Sequence, residues 1–294
     1  MKILVIGGSG VIGFETVKKL KQLGHSVFYT YYQNKIPISN GFSLDIRDKN
    51  SILEIFEKIL PDIVIHTTAI TNVDLCEIDQ KLATDVNITG TSNIISACIK
   101  NKSKLVYIST SFVFDGSKNK YSEEDITNPA TFYGYTKDKS EKLVKNSGLP
   151  FLILRTDLPY GLKEKWQHTN SVLRVIDTIN SGKILNEITD WYNKPTFVPN
   201  FVDIMIELLM KQEVGIFHVV GSDFVNRYDF SITVANIFQL NQNQIKPINS
   251  KKLKLPAKRV NVNLEIKKIQ EKTNIKIVEI KEGLIKMKKI KQES

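Results

Sequence analysis

Apolar and polar positions alternate in blocks along the first half of the chain. Lys2–Ile6 is an apolar run halted by Gly7-Gly8-Ser9-Gly10, and Val11 to Leu23 then carries apolar residues at helical spacing up to Gly24. Ser26–Tyr31 is rich in β-formers, Phe42–Asp45 is a shorter run of that kind, and Ser51–Leu60 has helical spacing ended by Pro61. Asp62–His66 and Leu105–Ser109 read as buried strands, with one long helical stretch over residues 79–100 between them. Tyr133–Asn146 reads as a helix and Phe151–Arg155 as a strand. Near-continuous apolar strands separated by helices predict a parallel sheet covered on both faces, a doubly wound α/β fold.

After Arg155 the alternation weakens. Pro159, Pro195 and Pro199 punctuate a loop-rich stretch, Gly215–Val220 reads as a late strand, and Arg227–Leu240 as a helix. Residues from about 156 onward are therefore expected to form a smaller substrate-side portion, with some segments returning to the sheet.

Composition narrows the class. A chain of 294 residues, 41% hydrophobic and 24% charged, builds a full core without staples. No apolar run reaches the ~18 residues of a membrane span, and the apolar start lacks a cleavage pattern. Cys76 and Cys98 make neither a disulfide framework nor a metal knuckle. His25, His66, His168 and His218 are scattered, so no metal site is expected, and His66 reads as a packed core residue. The expectation is a cytoplasmic protein. The net charge of +10 resides in residues 246–294, which hold 15 Lys and Arg against 5 Glu and no aromatic residue. Lysines alternating with Ile, Leu and Val suit amphipathic elements with solvated faces, so no nucleic-acid partner is expected.

The glycines of G7-G8-S9-G10-V11-I12-G13 lie between a strand and a helix. A tight turn without side chains lets the backbone approach a pyrophosphate at the helix N-terminus, and this context lifts the pattern above an ordinary βα turn. The second strand ends Thr30-Tyr31-Tyr32-Gln33-Asn34-Lys35, without the carboxylate that holds a ribose 2′-hydroxyl. Nothing there repels a 2′-phosphate and Lys35 can meet one, so NADP(H) is preferred, with NAD(H) as the alternative. Asp45 comes too late for the ribose role; it is a strand-end residue within reach of the adenine.

Tyr133-Gly134-Tyr135-Thr136-Lys137 puts Tyr133 and Lys137 on one helix face. A free phenol titrates near pH ~10, and a neighbouring ammonium is expected to lower that value and to hold the nicotinamide ribose. Upstream, Ser109-Thr110-Ser111 places hydroxyls at a strand's C-terminal end, where they can orient a substrate carbonyl. Trp166 and Trp191 lie in the loop-rich region, either lining a sugar pocket or packing.

The ordered set GGSGVIG, HTTAITNVDLCE, DVNITGT, LVYISTSFVFDG, YGYTK and LRTDLPYG resembles the extended short-chain dehydrogenase/reductases, and within them the dTDP-4-dehydrorhamnose reductase family, over nearly the whole chain. The resemblance implies a Rossmann domain over residues 1–155 and a mainly substrate-binding portion over 156–294. It also implies NADP(H)-dependent reduction of a nucleotide-activated 4-keto sugar. By motif, Thr110 is the catalytic hydroxyl, Tyr133 the proton donor and Lys137 its partner. Cofactor contacts fall on Gly7, Gly10, Val11, Ile12, Gly13, Tyr31, Lys35, Asp45, Ile46, Thr68 and Ala69, besides Tyr133 and Lys137. Asn87 matches a helix asparagine that holds a relay water, and Thr71, Val73, Ser111 and Phe112 face the sugar nucleotide.

Three departures fall on the substrate side. Ser111 and Phe112 replace an acid and a tyrosine of the family's S-T-D-Y-V-F-D-G, and Asp157-Leu158-Pro159 replaces the tryptophan-bearing stretch of R-T-S-W-V-Y-G. The partners implied are a nucleotide-sugar substrate and a second copy of the chain in a homodimer, with no membrane. Two alternatives accompany this reading. One is an NADP-binding regulatory subunit like methionine adenosyltransferase beta; the other is a sugar-nucleotide epimerase or dehydratase, which the absent second-strand acid disfavours.

Overall fold

A computed structural model describes residues 1–293. Seven parallel strands form the central sheet: β1 (Lys2–Ile6), β2 (Ser26–Tyr31), β3 (Gly41–Ser43), β4 (Ile63–His66), β5 (Lys104–Thr110), β6 (Phe151–Thr156) and β7 (Gly215–His218). Their order is β7-β6-β5-β4-β1-β2-β3, so the winding reverses between β1 and β4. Ligands of such sheets bind at that reversal, outside the carboxyl ends of the strands. The strands are apolar on both faces because helices cover both: Ile3, Val5, Ile65 and Leu154 pack on one side, Leu4, Ile6, Val64 and Ile153 on the other.

The helices are α1 (Val11–Gln22), α2 (Lys49–Ile59), α3 (Val73–Ile78), α4 (Gln80–Ala83), α5 (Thr91–Asn101), α6 (Phe132–Lys145), α7 (Ser171–Asn180), α8 (Val198–Met210), α9 (Arg227–Phe238), α10 (Lys267–Lys272) and α11 (Ile280–Glu293). Asp48 caps α2 through the backbone N–H groups of Asn50 and Ser51, and Thr131 caps α6 through that of Gly134. The stretch expected as one helix over 79–100 is instead α4, a π-helical segment at Thr84–Gly90, and α5. The wider turn buries Asn87 and seats Gly90 on Ile46, where a Cβ at Gly90 would lie 2.6 Å from Ile46 Cδ1.

The region after Arg155 holds more regular structure than its prolines suggest. Pro199 lies in the first turn of α8, where its missing N–H has no helical partner to lose. Helix α8 is buried along much of its length and shares the sheet's hydrophobic core with α1, as do Phe217 of β7 and Ile269 of α10. A separate core joins α7, α9 and α11 through Val172, Ile176, Phe230, Val234, Leu284 and Met287. Lys276 and Lys286 flank Glu282 there, which leaves this basic segment a packed element with a charged outer face. No helix among the described residues is long and apolar enough to cross a membrane.

Candidate active site

At the reversal point, the turn after β1 lies against the segment after β4. Gly7 has φ +85°, and a Cβ there would fall 2.4 Å from Thr68 Oγ1 and 2.8 Å from Thr67 Oγ1. A Cβ on Gly13 would fall 2.2 Å from Gly7 O, so helix and turn touch through bare backbone. Gly10 is less constrained, with its hypothetical Cβ 3.4 Å from Gly7 O. It caps α1 without any side-chain bond, so the N–H groups of the first turn, among them those of Val11 and Ile12, have no side-chain acceptor from the cap. This geometry suits a dinucleotide pyrophosphate. Thr68 and Ala69 line the other side of the crevice, half-buried.

The loop after β2 is organised by Tyr29, whose buried hydroxyl donates to Ile36 O (3.0 Å) and Ile38 O (2.8 Å). Tyr31 is half-buried at the strand end and Lys35 is exposed at the tip of that loop. Asp45 turns to Arg47, with Oδ1 3.0 Å from Nε and Oδ2 2.5 Å from Nη2. The guanidinium holds that carboxyl below its ordinary range. Ile46 is buried beneath Gly90. Sequence reasoning missed that Gln167 Nε2 donates to Ser9 O at 2.9 Å, tying a distant loop to the glycine turn, while Trp166 stacks edge-on against Phe14 at 5.7 Å.

Thr110 closes β5, and Tyr133 and Lys137 rise from the first turns of α6. A Cβ on Gly134 would fall 2.1 Å from Phe112 O, so this glycine lets α6 rest directly on the turn after β5. The Thr110 hydroxyl accepts from Phe112 N at 3.3 Å and favours the Tyr133 phenolate against burial. Lys137 Nζ donates to Ile108 O at 2.7 Å and sits 4.1 Å over the Tyr107 ring. The expected electrostatics needs correction. Burial pushes the Tyr133 phenol up, Thr110 alone among its neighbours opposes this, and Lys137 exerts no resolved effect on it. Burial also pushes Lys137 down to about 7, so the lysine is only partly charged at neutral pH.

Asn87 is held within the protein by three side-chain hydrogen bonds. Its amide donates to Ile70 O (3.1 Å) and Thr136 Oγ1 (3.0 Å), while Oδ1 accepts from Ile70 N (2.8 Å). Thr136 in turn donates to Tyr133 O. With both amide hydrogens engaged inside the protein, Asn87 braces the segment after β4 against α6. His66 is buried as expected and pushed down to about 3 by that burial and by Lys137.

The remaining predicted residues lie in the turn after β5 and at the start of α3. Phe112 meets the Tyr133 ring edge-on at 5.8 Å, Ser111 is buried beside it, Val73 opens α3 and Thr71 is exposed. Asp157 is buried, accepting from Lys194 N (2.7 Å) and Asn193 Nδ2 (3.3 Å), with the Ser111 hydroxyl as a further donor. Burial nevertheless carries its carboxyl up to about 6. Trp191 meets two guanidiniums, Arg227 at 5.3 Å and Arg259 at 5.1 Å from its ring. Neither arginine was flagged in the sequence, because no local pattern joins residues 191, 227 and 259.

The family described as RmlD substrate binding domain matches residues 1–292. The chain belongs to this family. It is an oxidoreductase of the extended short-chain dehydrogenase/reductase type. It is 28% identical over 241 residues to the dTDP-4-dehydrorhamnose reductase of Aggregatibacter actinomycetemcomitans, covering 79% of this chain and 78% of that one. It is 26% identical over 254 residues to methionine adenosyltransferase 2 subunit beta of Bos taurus, covering 84% and 75%. Its fold matches the crystal structure of a Bacillus anthracis dTDP-4-dehydrorhamnose reductase in complex with NADP, with a TM-score of 0.89, 23% identity, and 98% and 99% of the two chains covered. Within this family fold, the glycine turn follows β1, Thr110 ends β5, and Tyr133 and Lys137 stand on the first turns of α6, while Phe112, one of the departures, packs on the Tyr133 ring.

Proposed function

We propose that the protein reduces a nucleotide-activated 4-keto sugar, dTDP-4-dehydrorhamnose to dTDP-rhamnose, with NADPH. The placement of Thr110 at the carboxyl end of β5, with Tyr133 and Lys137 on the first turns of α6 and Lys137 Nζ seated on Ile108 O of the same strand, carries this reading, because it sets a buried phenol beside the strand end. The side-chain-free contacts at Gly7 and Gly13 and the open first turn of α1 fit a dinucleotide pyrophosphate. The Bacillus anthracis relative was solved with NADP, and no carboxylate ends β2 to repel a 2′-phosphate, which Lys35 can meet; NADH is the weaker alternative.

The bound cofactor supplies the hydride to the carbonyl carbon. The protein's part is the proton and the alignment. Tyr133, kept protonated by burial, gives its phenolic hydrogen to the carbonyl oxygen as that oxygen gains charge, and Thr110 donates to the phenolate left behind. Lys137, anchored on Ile108 O, stands one turn along the same face to hold the cofactor ribose. Phe112, Ser111 and Val73 border the sugar, with Thr71 at the mouth. A homodimer is part of this proposal.

NADPH oxidation against a panel of dTDP- and UDP-linked 4-keto sugars tests it, with turnover expected for the dTDP-4-keto-6-deoxy sugar. A second reading, a regulatory subunit, draws on the similarity to methionine adenosyltransferase 2 subunit beta. NADPH binding with no oxidation by any keto sugar would favour that reading over the reductase.

A further inference from the structure

The segment between Gly161 and α7 leaves the substrate-side portion of the chain and crosses to the nucleotide crevice. Gln167, buried, donates its side-chain amide to Ser9 O at 2.9 Å and accepts from Glu164 N at 3.0 Å through Oε1. Trp166 meets Phe14 of α1 edge-on at 5.7 Å, and its carbonyl accepts from Asn34 Nδ2 at 3.4 Å. Ser9 belongs to the glycine turn after β1, and Asn34 to the loop after β2 that also carries Lys35. Residues 163–167 therefore bridge the turn and that loop. A dinucleotide in a sheet of this kind lays its pyrophosphate on the first and its adenosine ribose near the second.

Two groups on the bridge suit an anion. The Trp166 indole Nε1 is buried without a partner, a donor in want of an acceptor oxygen. Lys163 Nζ donates to Gln167 O at 3.3 Å, which holds its ammonium beside the residue that grips the glycine turn. An ammonium has three hydrogens to give, and a phosphate can take those that the Gln167 carbonyl does not. Indole and ammonium are donors only, which excludes a metal ion as their common ligand and fits a phosphate.

We propose that residues 163–167 clamp the cofactor, with Lys163 and the Trp166 indole binding a phosphate on its adenosine side. The proposal rests on the NADP(H) reading for the identity of the ligand. It gives the substrate-side portion of the chain a direct part in holding the cofactor, through residues that no local pattern links to the glycine turn.

Calorimetric titration with NADPH and with NADH tests the clamp in the native chain, in Trp166→Phe and in Lys163→Ala. Phenylalanine keeps a ring against Phe14 and deletes the indole N–H, while Lys163 is exposed and its truncation leaves the packing intact. Trp166→Phe should weaken NADPH roughly tenfold, the effect of losing a hydrogen bond to a charged group. Lys163→Ala should weaken it roughly threefold at low salt, and the difference should shrink as KCl is raised. A loss confined to NADPH assigns the clamp to the 2′-phosphate, and an equal loss with NADH assigns it to the pyrophosphate. Native affinity for both cofactors in both variants overturns the clamp and leaves the NADP(H) reading standing. A native chain that binds neither cofactor overturns the two together. Should Trp166→Phe melt early, Lys163→Ala carries the test.

Discussion

Arg155 of β6 and Glu141 of α6 form a two-point ion pair inside the protein, with Nε 2.9 Å from Oε1 and Nη2 2.7 Å from Oε2. Glu141 lies one turn beyond Lys137, so the pair clamps the catalytic helix to the sheet behind its reactive face. Phe114 covers the guanidinium, and His218, neutral because burial pushes it down to about 3, faces Nη1 at 3.3 Å. Removing one partner leaves the other as an uncompensated buried charge. Arg155→Met or Glu141→Gln should therefore destabilise the fold by about 3–5 kcal/mol in urea unfolding, and the double variant should recover part of that loss. Additive losses would show that the two residues do not act as a pair.

Tyr133→Phe should lower the rate of NADPH oxidation ~10²–10⁴-fold, because the phenol is the proton donor. NADPH affinity should hardly change, since the glycine turn and α1 make the pyrophosphate contacts. The ring itself packs on Phe112, and phenylalanine preserves that contact. Undiminished turnover would remove Tyr133 from the reaction.

Gly13→Ala should disable cofactor binding more than Gly10→Ala does. A Cβ at 13 meets backbone 2.2 Å away, which cannot yield without moving the turn, whereas at 10 the nearest atom is at 3.4 Å. Tryptophan-fluorescence titration with NADPH should show roughly tenfold or greater weakening for Gly13→Ala, about 1.4 kcal/mol. Equal affinities for the two variants would contradict the close approach of α1 to the turn.

NADPH should bind more tightly than NADH, and Lys35→Ala should narrow the ratio. Lys35 stands on a loop that Tyr29 fixes through Ile36 and Ile38, so the loop's position is set although the lysine itself is exposed. An unchanged ratio in the variant would place the 2′-phosphate elsewhere.

Lys137 gives stability a pH signature. Its folded value, about 7, lies below the ordinary 10.5 it has in the unfolded chain. Between those values the unfolded state binds the extra proton, so this lysine makes stability rise with pH from about 7 to about 10.5. Below about 7 both states are protonated and burial of the charge opposes folding in full. Cofactor-free Lys137→Met should lack the rise, so its stability relative to the native chain should be greatest near pH 6 and shrink toward pH ~10. Parallel urea-unfolding profiles for the two proteins would refute the shift.

Local pattern alone made much of this protein legible. The glycine turn announces itself because a strand's period of two gives way to a helix's longer period across residues that lack side chains. Tyr133 and Lys137 are readable because four residues make one helical turn, and Thr110 because strand ends in such sheets face the ligand. Prolines misled the reading after Arg155, where Pro199 starts a buried helix instead of marking a loop. Tertiary structure decided the rest. A Lys137 pushed down to about 7 and a protonated Tyr133 follow from burial, which depends on how α6 sits on β5 and not on the spacing of the motif. The π-helical turn at Thr84–Gly90 answers to packing against Ile46 and Ile70. Asp157, Trp191, Arg227 and Arg259 come from four separate stretches of chain, and only folding makes them neighbours. Sequence determined which groups carry the chemistry because their spacing is local; tertiary structure determined their charge and company because solvation and long-range contact exist only in the packed molecule.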